Sequence, residues 1–339
     1  MRRLAALVVF VAAAPGFVSG QPGPAGQRGP GAQAQAQGAR DVNVTGIPDV
    51  VAAGAKWQLA WQGTNNADGL VGTVDGALLF AQEQPSQVSR LDPDDRVSVV
   101  LTDTHGTGAL AIDSSGRILA VERTCTDPGR GATPCLEPTA IGVLAPDRTV
   151  LADTFEGKPL GRLNDLVVDR KGGVYFTVGG AYHADPSGRV TSLGDGIRAN
   201  GVMLSPDEAT LYVTNGDVIL AFDVQPDGTV GNRRDFGRLE AGGSGDGLAI
   251  DAAGRLYVTS GPGVQVLGPD GKFLGLIPTP RGVISVAFAG RDKRTLYVVG
   301  SGALGPDGAE FTTPAGVRNN AKTIYKLPML TPGFKGRAK

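Results

Sequence analysis

The chain has 339 residues, a formal net charge of −1 and only two histidines. That charge gives no electrostatic case for nucleic acid or an anionic membrane surface, and two histidines exclude a multi-histidine zinc site. Apolar residues make up 41% and charged residues 19%, while 52 glycines and 23 prolines fall mostly between short apolar runs, as turns between strands do.

The N-terminus reads as an address. Met1-Arg2-Arg3 is basic, residues 4–14 are apolar, and Val18-Ser19-Gly20 offers small residues before Gln21. The apolar run is too short for a good membrane span, so the pattern predicts a signal peptide over residues 1–20. The protein is then exported, periplasmic or secreted, with no membrane attachment after cleavage. Residues 21–40 (QPGPAGQRGPGAQAQAQGAR) lack aromatics and large apolar side chains. They cannot bury enough surface to offset their ordering entropy and are expected to form a disordered linker.

From residue 41 onward strand signals dominate. Six apolar runs recur: Ala77-Leu78-Leu79-Phe80, Arg117-Ile118-Leu119-Ala120-Val121, Val174-Tyr175-Phe176-Thr177, Leu211-Tyr212-Val213-Thr214, Leu256-Tyr257-Val258-Thr259 and Leu296-Tyr297-Val298-Val299. Each follows a turn rich in Gly, Asp, Pro or Lys, and each turn follows another short apolar run. The six units recur at intervals of about 36 to 56 residues, close to the length of a four-stranded propeller blade. No amphipathic helix of normal length is apparent. The expected fold is all-β, a six-bladed β-propeller over residues 41–328, with a loose tail over 329–339. The segment before the first unit and Thr323-Ile324-Tyr325-Lys326-Leu327 are expected to share one blade and close the ring. The second unit is the longest because it carries Cys125 and Cys135, the only cysteines. In an exported chain this lone pair predicts a disulfide.

The units share more than strands. Asp68-Gly69-Leu70, Asn164-Asp165-Leu166, Asn200-Gly201-Val202 and Asp246-Gly247-Leu248 occupy the same position within their repeats, with Gly108 and Ile284 at that position in the other two. Each dipeptide alone is an ordinary turn signal. In a shared register around an axis, Asp68, Asn164, Asn200 and Asp246 converge four oxygen donors at one place. An all-oxygen set with two carboxylates fits Ca²⁺ better than Zn²⁺, with Mg²⁺ and Mn²⁺ as alternatives.

These residues resemble the gluconolactonase/regucalcin (SMP-30-like) family of six-bladed propellers. The resemblance runs roughly from Pro48 to Leu327 and is strongest in Arg162-Leu163-Asn164-Asp165-Leu166-Val167-Val168-Asp169, Asn200-Gly201 with Leu204-Ser205-Pro206-Asp207, Asp246-Gly247-Leu248-Ala249-Ile250-Asp251 and Gly263-Val264-Gln265-Val266. It implies one divalent cation, commonly calcium, at the channel mouth, with Asp68, Asn164, Asn200 and Asp246 at the ligand positions. It also places Arg162 near the substrate. Two departures stand out. The family's first-blade Glu is Asp68 here, one methylene shorter, and the Asp-Pro that usually follows Tyr-Phe-Thr is Val178-Gly179. The loop over residues 122–136 is longer than in compact family members and is a candidate lid.

The expected chemistry is hydrolysis of a small-molecule lactone or related ester. A cation at an open mouth polarises the carbonyl and lowers the pKa of a bound water. Asp246, Asn164 and Arg162 are the candidate catalytic residues, with Arg162 placed to hydrogen-bond a polyol or an oxyanion. Asp165 and Glu122 are further candidates to accept a proton, and His105 and His183 are candidates by residue type. No Gly-x-Ser-x-Gly elbow is present, so serine-hydrolase chemistry of that kind has no support. The alternative function is a noncatalytic propeller that binds a sugar, peptide or protein, and fold alone does not separate the two.

Overall fold

A computed structural model describes residues 39–123, 139–305, 307–311 and 323–336. Cys125 and Cys135, the proposed signal peptide, most of the proposed lid and nearly all of the proposed linker lie outside them. The described residues contain no helix and form six four-stranded antiparallel sheets arranged as a six-bladed β-propeller.

The sheets follow chain order. Blade 1 runs through Asp68–Gly72, Leu78–Gln82, Gln87–Leu91 and Val97–Thr102. Blade 2 is Thr107–Ile112, Ile118–Glu122, Ala140–Ala145 and Thr149–Ala152. Blade 3 is Leu166–Val168, Val174–Val178, Gly180–Ala184 and Val190–Ser192. Blade 4 is Val202–Leu204, Thr210–Asn215, Val218–Val224 and Val230–Arg238. Blade 5 is Leu248–Ile250, Leu256–Ser260, Gly263–Leu267 and Phe273–Pro278. Blade 6 takes Val283–Ala289, Thr295–Gly300 and Thr323–Pro328 from the end of the chain and Gln58–Gln62 from its beginning. Gln58 pairs with Lys326 and Gln62 with Thr323, so the ring closes by the expected sharing of one blade.

The sequence pattern follows from this stacking. The second strand of each blade lies between neighbours on both faces, so Leu78–Gln82 and Leu256–Ser260 are buried throughout and read as continuous apolar runs. The outer strand of blade 1, Val97–Thr102, is exposed along most of its length. The core is a ring of clusters between adjacent sheets. One gathers Tyr175, Val202, Leu211, Phe222 and Leu256 from blades 3 to 5, and another joins Phe80 and Leu78 of blade 1 to Ala287 and Val299 of blade 6. Each fully buried Leu or Phe contributes about 1.5–3 kcal/mol, so most of the stabilisation is spread over the blade interfaces.

Both ends of the described chain are held. Arg40 donates from its backbone N–H to the Pro280 carbonyl at 2.9 Å and from Nε to the Thr279 carbonyl at 3.1 Å. The segment expected as a loose tail packs instead over residues 329–336. Met329 is buried, and the backbone N–H groups of Leu330 and Gly333 donate to the carbonyls of Val50 and Lys293. The apolar Met329 and Phe334 explain why this stretch docks although a basic end follows it.

Candidate functional site

Each inner strand begins at the same end of the channel, and the column residues sit just before or at those beginnings. A threonine at the end of a neighbouring strand sets the backbone there. Thr177 Oγ1 donates to the Asn200 carbonyl at 2.5 Å and accepts from the Asp165 N–H at 3.1 Å. Thr214 Oγ1 accepts from the N–H groups of Asn200 and Gly201 at 3.0 and 2.8 Å. Thr259 Oγ1 donates to the Ile284 carbonyl at 2.9 Å. All three threonines are fully buried. Their signal is a recurrent Tyr-x-Thr in three of the repeats, which the sequence reading treated only as strand.

The four column residues come together. Asn164 Nδ2 donates to Asn200 Oδ1 at 2.7 Å, and Asn200 in turn hydrogen-bonds the Asp246 side chain. Asp68 lies close enough to Asp246 for their charges to interact. Both carboxylates keep some surface open to the mouth. They are deep enough that burial raises the pKa of Asp68, against the pull of Arg123. Burial, with the nearby charges of Asp68 and Asp165, raises the pKa of Asp246 well above the usual carboxylate range.

Two residues that the sequence reading missed complete the cluster. Glu83 follows the second strand of blade 1, and its side chain is only 3% exposed. It accepts from Arg123 Nη1 at 2.8 Å and from Arg162 Nη1 and Nη2 at 2.9 and 3.0 Å. Arg123, buried in blade 2, donates from Nε to the Leu163 carbonyl at 2.9 Å. Its Nη2 donates to the backbone and side-chain oxygens of Asn164, both at 3.1 Å. Its Nη1 lies 3.5 Å from Asp68 Oδ2. Burial works against the Arg123 charge, but Asp68 and Glu83 more than offset it and hold its pKa above the usual value. A signal existed. The second strands of blades 1 and 2 run into Glu83 and Arg123, where those of blades 3, 4 and 5 run into glycine.

The remaining candidates have other partners. Asp165 accepts from the Leu166 and Val202 N–H groups at 2.9 and 3.0 Å and so ties blade 3 to blade 4. Glu122 is buried, with Oε2 2.9 Å from His105 Nδ1 and 3.0 Å from Arg148 Nη2. His105 therefore meets Glu122 at the end of the second strand of blade 2. His183 is buried against the ring of Tyr175, with centroids 4.5 Å apart, and its Nε2 is 3.8 Å from Asp169. It sits by the turns at the other end of blade 3, away from the column. Val178 and Gly180 pair directly across Gly179, so the departure from Asp-Pro makes a tight turn between two strands.

The donor set fits a divalent cation. Among the described residues no three His, Cys, Asp or Glu side chains gather as a metal-ligating group, so a cation at the column would draw on the two asparagine amides as well as on carboxylates. The column is instead two carboxylates and two amides. Around it four carboxylates, of Asp68, Glu83, Asp165 and Asp246, face two guanidiniums, of Arg123 and Arg162, a formal excess of two negative charges. A hard divalent ion matches both the donor type and that excess.

Residues 67–302 match the family described as the SMP-30/Gluconolactonase/LRE-like region. The chain belongs to that family. It is 26% identical over 298 residues to a gluconolactonase of Zymomonas mobilis subsp. mobilis, covering 75% of this chain and 78% of that protein. It is 28% identical over 272 residues to pentonolactonase XacC of Haloferax volcanii, covering 76% and 88%. The fold is similar to that of a gluconolactonase from Xanthomonas campestris, with a TM-score of 0.66 at 24% identity, over 86% of this chain and 99% of that one.

Proposed function

We propose that the protein is a lactonase-type hydrolase that opens a small-molecule lactone or related ester and depends on a divalent cation, in the first place Ca²⁺. The observation that carries this reading is the linked cluster of Asp68, Asn164, Asn200 and Asp246 at one end of the channel, in a family whose relatives include a gluconolactonase and a pentonolactonase.

In the reaction, water adds its oxygen to the acyl carbon, the bond from that carbon to the ring oxygen breaks, and the ring oxygen leaves as a hydroxyl. The product is a hydroxy acid. A divalent cation held by the four column side chains supplies Lewis-acid polarisation of the carbonyl when bound. Asp246, the column carboxylate that hydrogen-bonds Asn200, is the candidate to take the proton from the attacking water. The Asn164–Asn200 hydrogen bond fixes the orientation of both amides. Arg162 is part-exposed at the rim and held by two bonds to Glu83. It is placed to donate to the oxygen on which negative charge develops. Asp165 has its carboxylate committed to backbone N–H groups and is a fastener in this scheme.

The test is proton release on mixing chelator-treated protein with a panel of aldonolactones, before and after adding Ca²⁺. Cation-dependent acidification is the expected result. No hydrolysis of any lactone with Ca²⁺, Mg²⁺, Mn²⁺ or Zn²⁺ sinks the reading. The basic and then apolar N-terminus further supports export with cleavage before Gln21, which N-terminal sequencing of the mature protein checks.

A further inference from the structure

We propose that Arg123 is a resident counter-cation of the axial ring, which takes the place of blade 2's missing donor and weakens divalent-cation binding at the column. The inference rests on the cation reading above.

Around the axis the six equivalent positions are Asp68, Gly108, Asn164, Asn200, Asp246 and Ile284. Blade 2 therefore supplies no side chain at its position. The space is not empty. A Cβ built on Gly108 would lie 1.9 Å from Arg123 Cζ and 2.2 Å from its Nε and Nη1. Only a glycine lets the guanidinium pass there. Arg123 then reaches the column residues on both sides, Asp68 of blade 1 at 3.5 Å and Asn164 Oδ1 at 3.1 Å. Glu83 holds it from behind at 2.8 Å, and the Leu163 carbonyl accepts its Nε. The Asp68-Gly69 turn is fixed against the same blade. Gly69 has φ +46°, and a Cβ there would lie 2.4 Å from Ala109 Cα. Neither the turn nor the guanidinium has room to slide apart.

Two of the four column oxygens thus face a permanent positive charge. A fixed charge this close repels a second cation and competes for the same oxygens. Glu83 is a positioning residue in this arrangement, because it orients Arg123 and Arg162 together.

Calorimetric titration with CaCl₂ at one fixed ionic strength tests the inference on the wild type, Arg123→Met, Arg123→Lys and Gly108→Ala. Arg123→Met is expected to bind Ca²⁺ at least tenfold more tightly than wild type, while Arg123→Lys, which keeps the charge, stays near the wild-type affinity. Gly108→Ala is expected to tighten binding too, because its methyl drives the guanidinium out of the ring. It carries the test if Arg123→Met does not fold. Equal or weaker binding by folded Arg123→Met or Gly108→Ala overturns the inference alone. Binding by none of the four proteins at millimolar Ca²⁺ overturns the cation reading and the inference with it.

Discussion

Glu83 makes the sharpest stability prediction. Its carboxylate, 3% exposed, accepts three charged hydrogen bonds at 2.8–3.0 Å from Arg123 and Arg162. Glu83→Gln keeps the shape and removes the charge. The amide can accept from one guanidinium, but its NH₂ then faces the other. Arg123 is left buried with Asp68, at 3.5 Å, as its nearest anion. Removing one partner of a buried ion pair costs about 3–5 kcal/mol. Unfolding entropy of about 2.1 cal/mol/K per residue over roughly 270 ordered residues converts that to a Tm loss of about 5–9 °C. Thermal unfolding followed by circular dichroism at pH 7, with chelator present, measures it. A loss under about 2 °C would show that the Glu83 network is solvated, and Glu83 would not be the buried anchor of Arg123 and Arg162.

Three further outcomes are expected. Asn200→Ala and Asp246→Ala should each lower lactone hydrolysis more than tenfold with the fold intact by circular dichroism; a smaller loss is worth under about 1.4 kcal/mol of barrier and rules out direct roles. Lys293 donates to the Gly72 and Phe288 carbonyls from a buried position, and burial lowers its pKa to about 8. Above that pH the native state releases a proton that the unfolded chain keeps up to about 10.4. The wild type should therefore gain about 3 kcal/mol relative to Lys293→Met between pH 7.5 and 10.5, and parallel urea-unfolding curves across that range would contradict the assignment. Cys125 and Cys135 should be resistant to alkylation in unreduced exported protein, and two alkylated cysteines by mass spectrometry would refute the bond.

Much of the ring was legible because blades repeat. A fixed register turns weak turn dipeptides into a column, and Asp68, Asn164, Asn200 and Asp246 do gather in one linked cluster. What lay hidden were residues that act across blades. Glu83 and Arg123 stand where blades 3, 4 and 5 have glycine, so a search for residues that repeat passes over them. Their 40-residue separation closes only when blades 1 and 2 pack. His183 shows the converse. Residue type suggested proton transfer, but it lies at the opposite end of its blade from the column. The tail was misread because its basic end masked Met329 and Phe334, whose apolar surface finds the blade 5 and 6 edge.

One divalent cation is expected to bind at the column and to serve the hydrolysis. Equilibrium dialysis of chelator-treated protein against ⁴⁵Ca²⁺, alongside Asp246→Ala, tests it most directly. One bound Ca²⁺ per wild-type chain is expected, lost in the variant along with lactone hydrolysis. Zero bound cation in the wild type at millimolar Ca²⁺, or unchanged binding in Asp246→Ala, would contradict it.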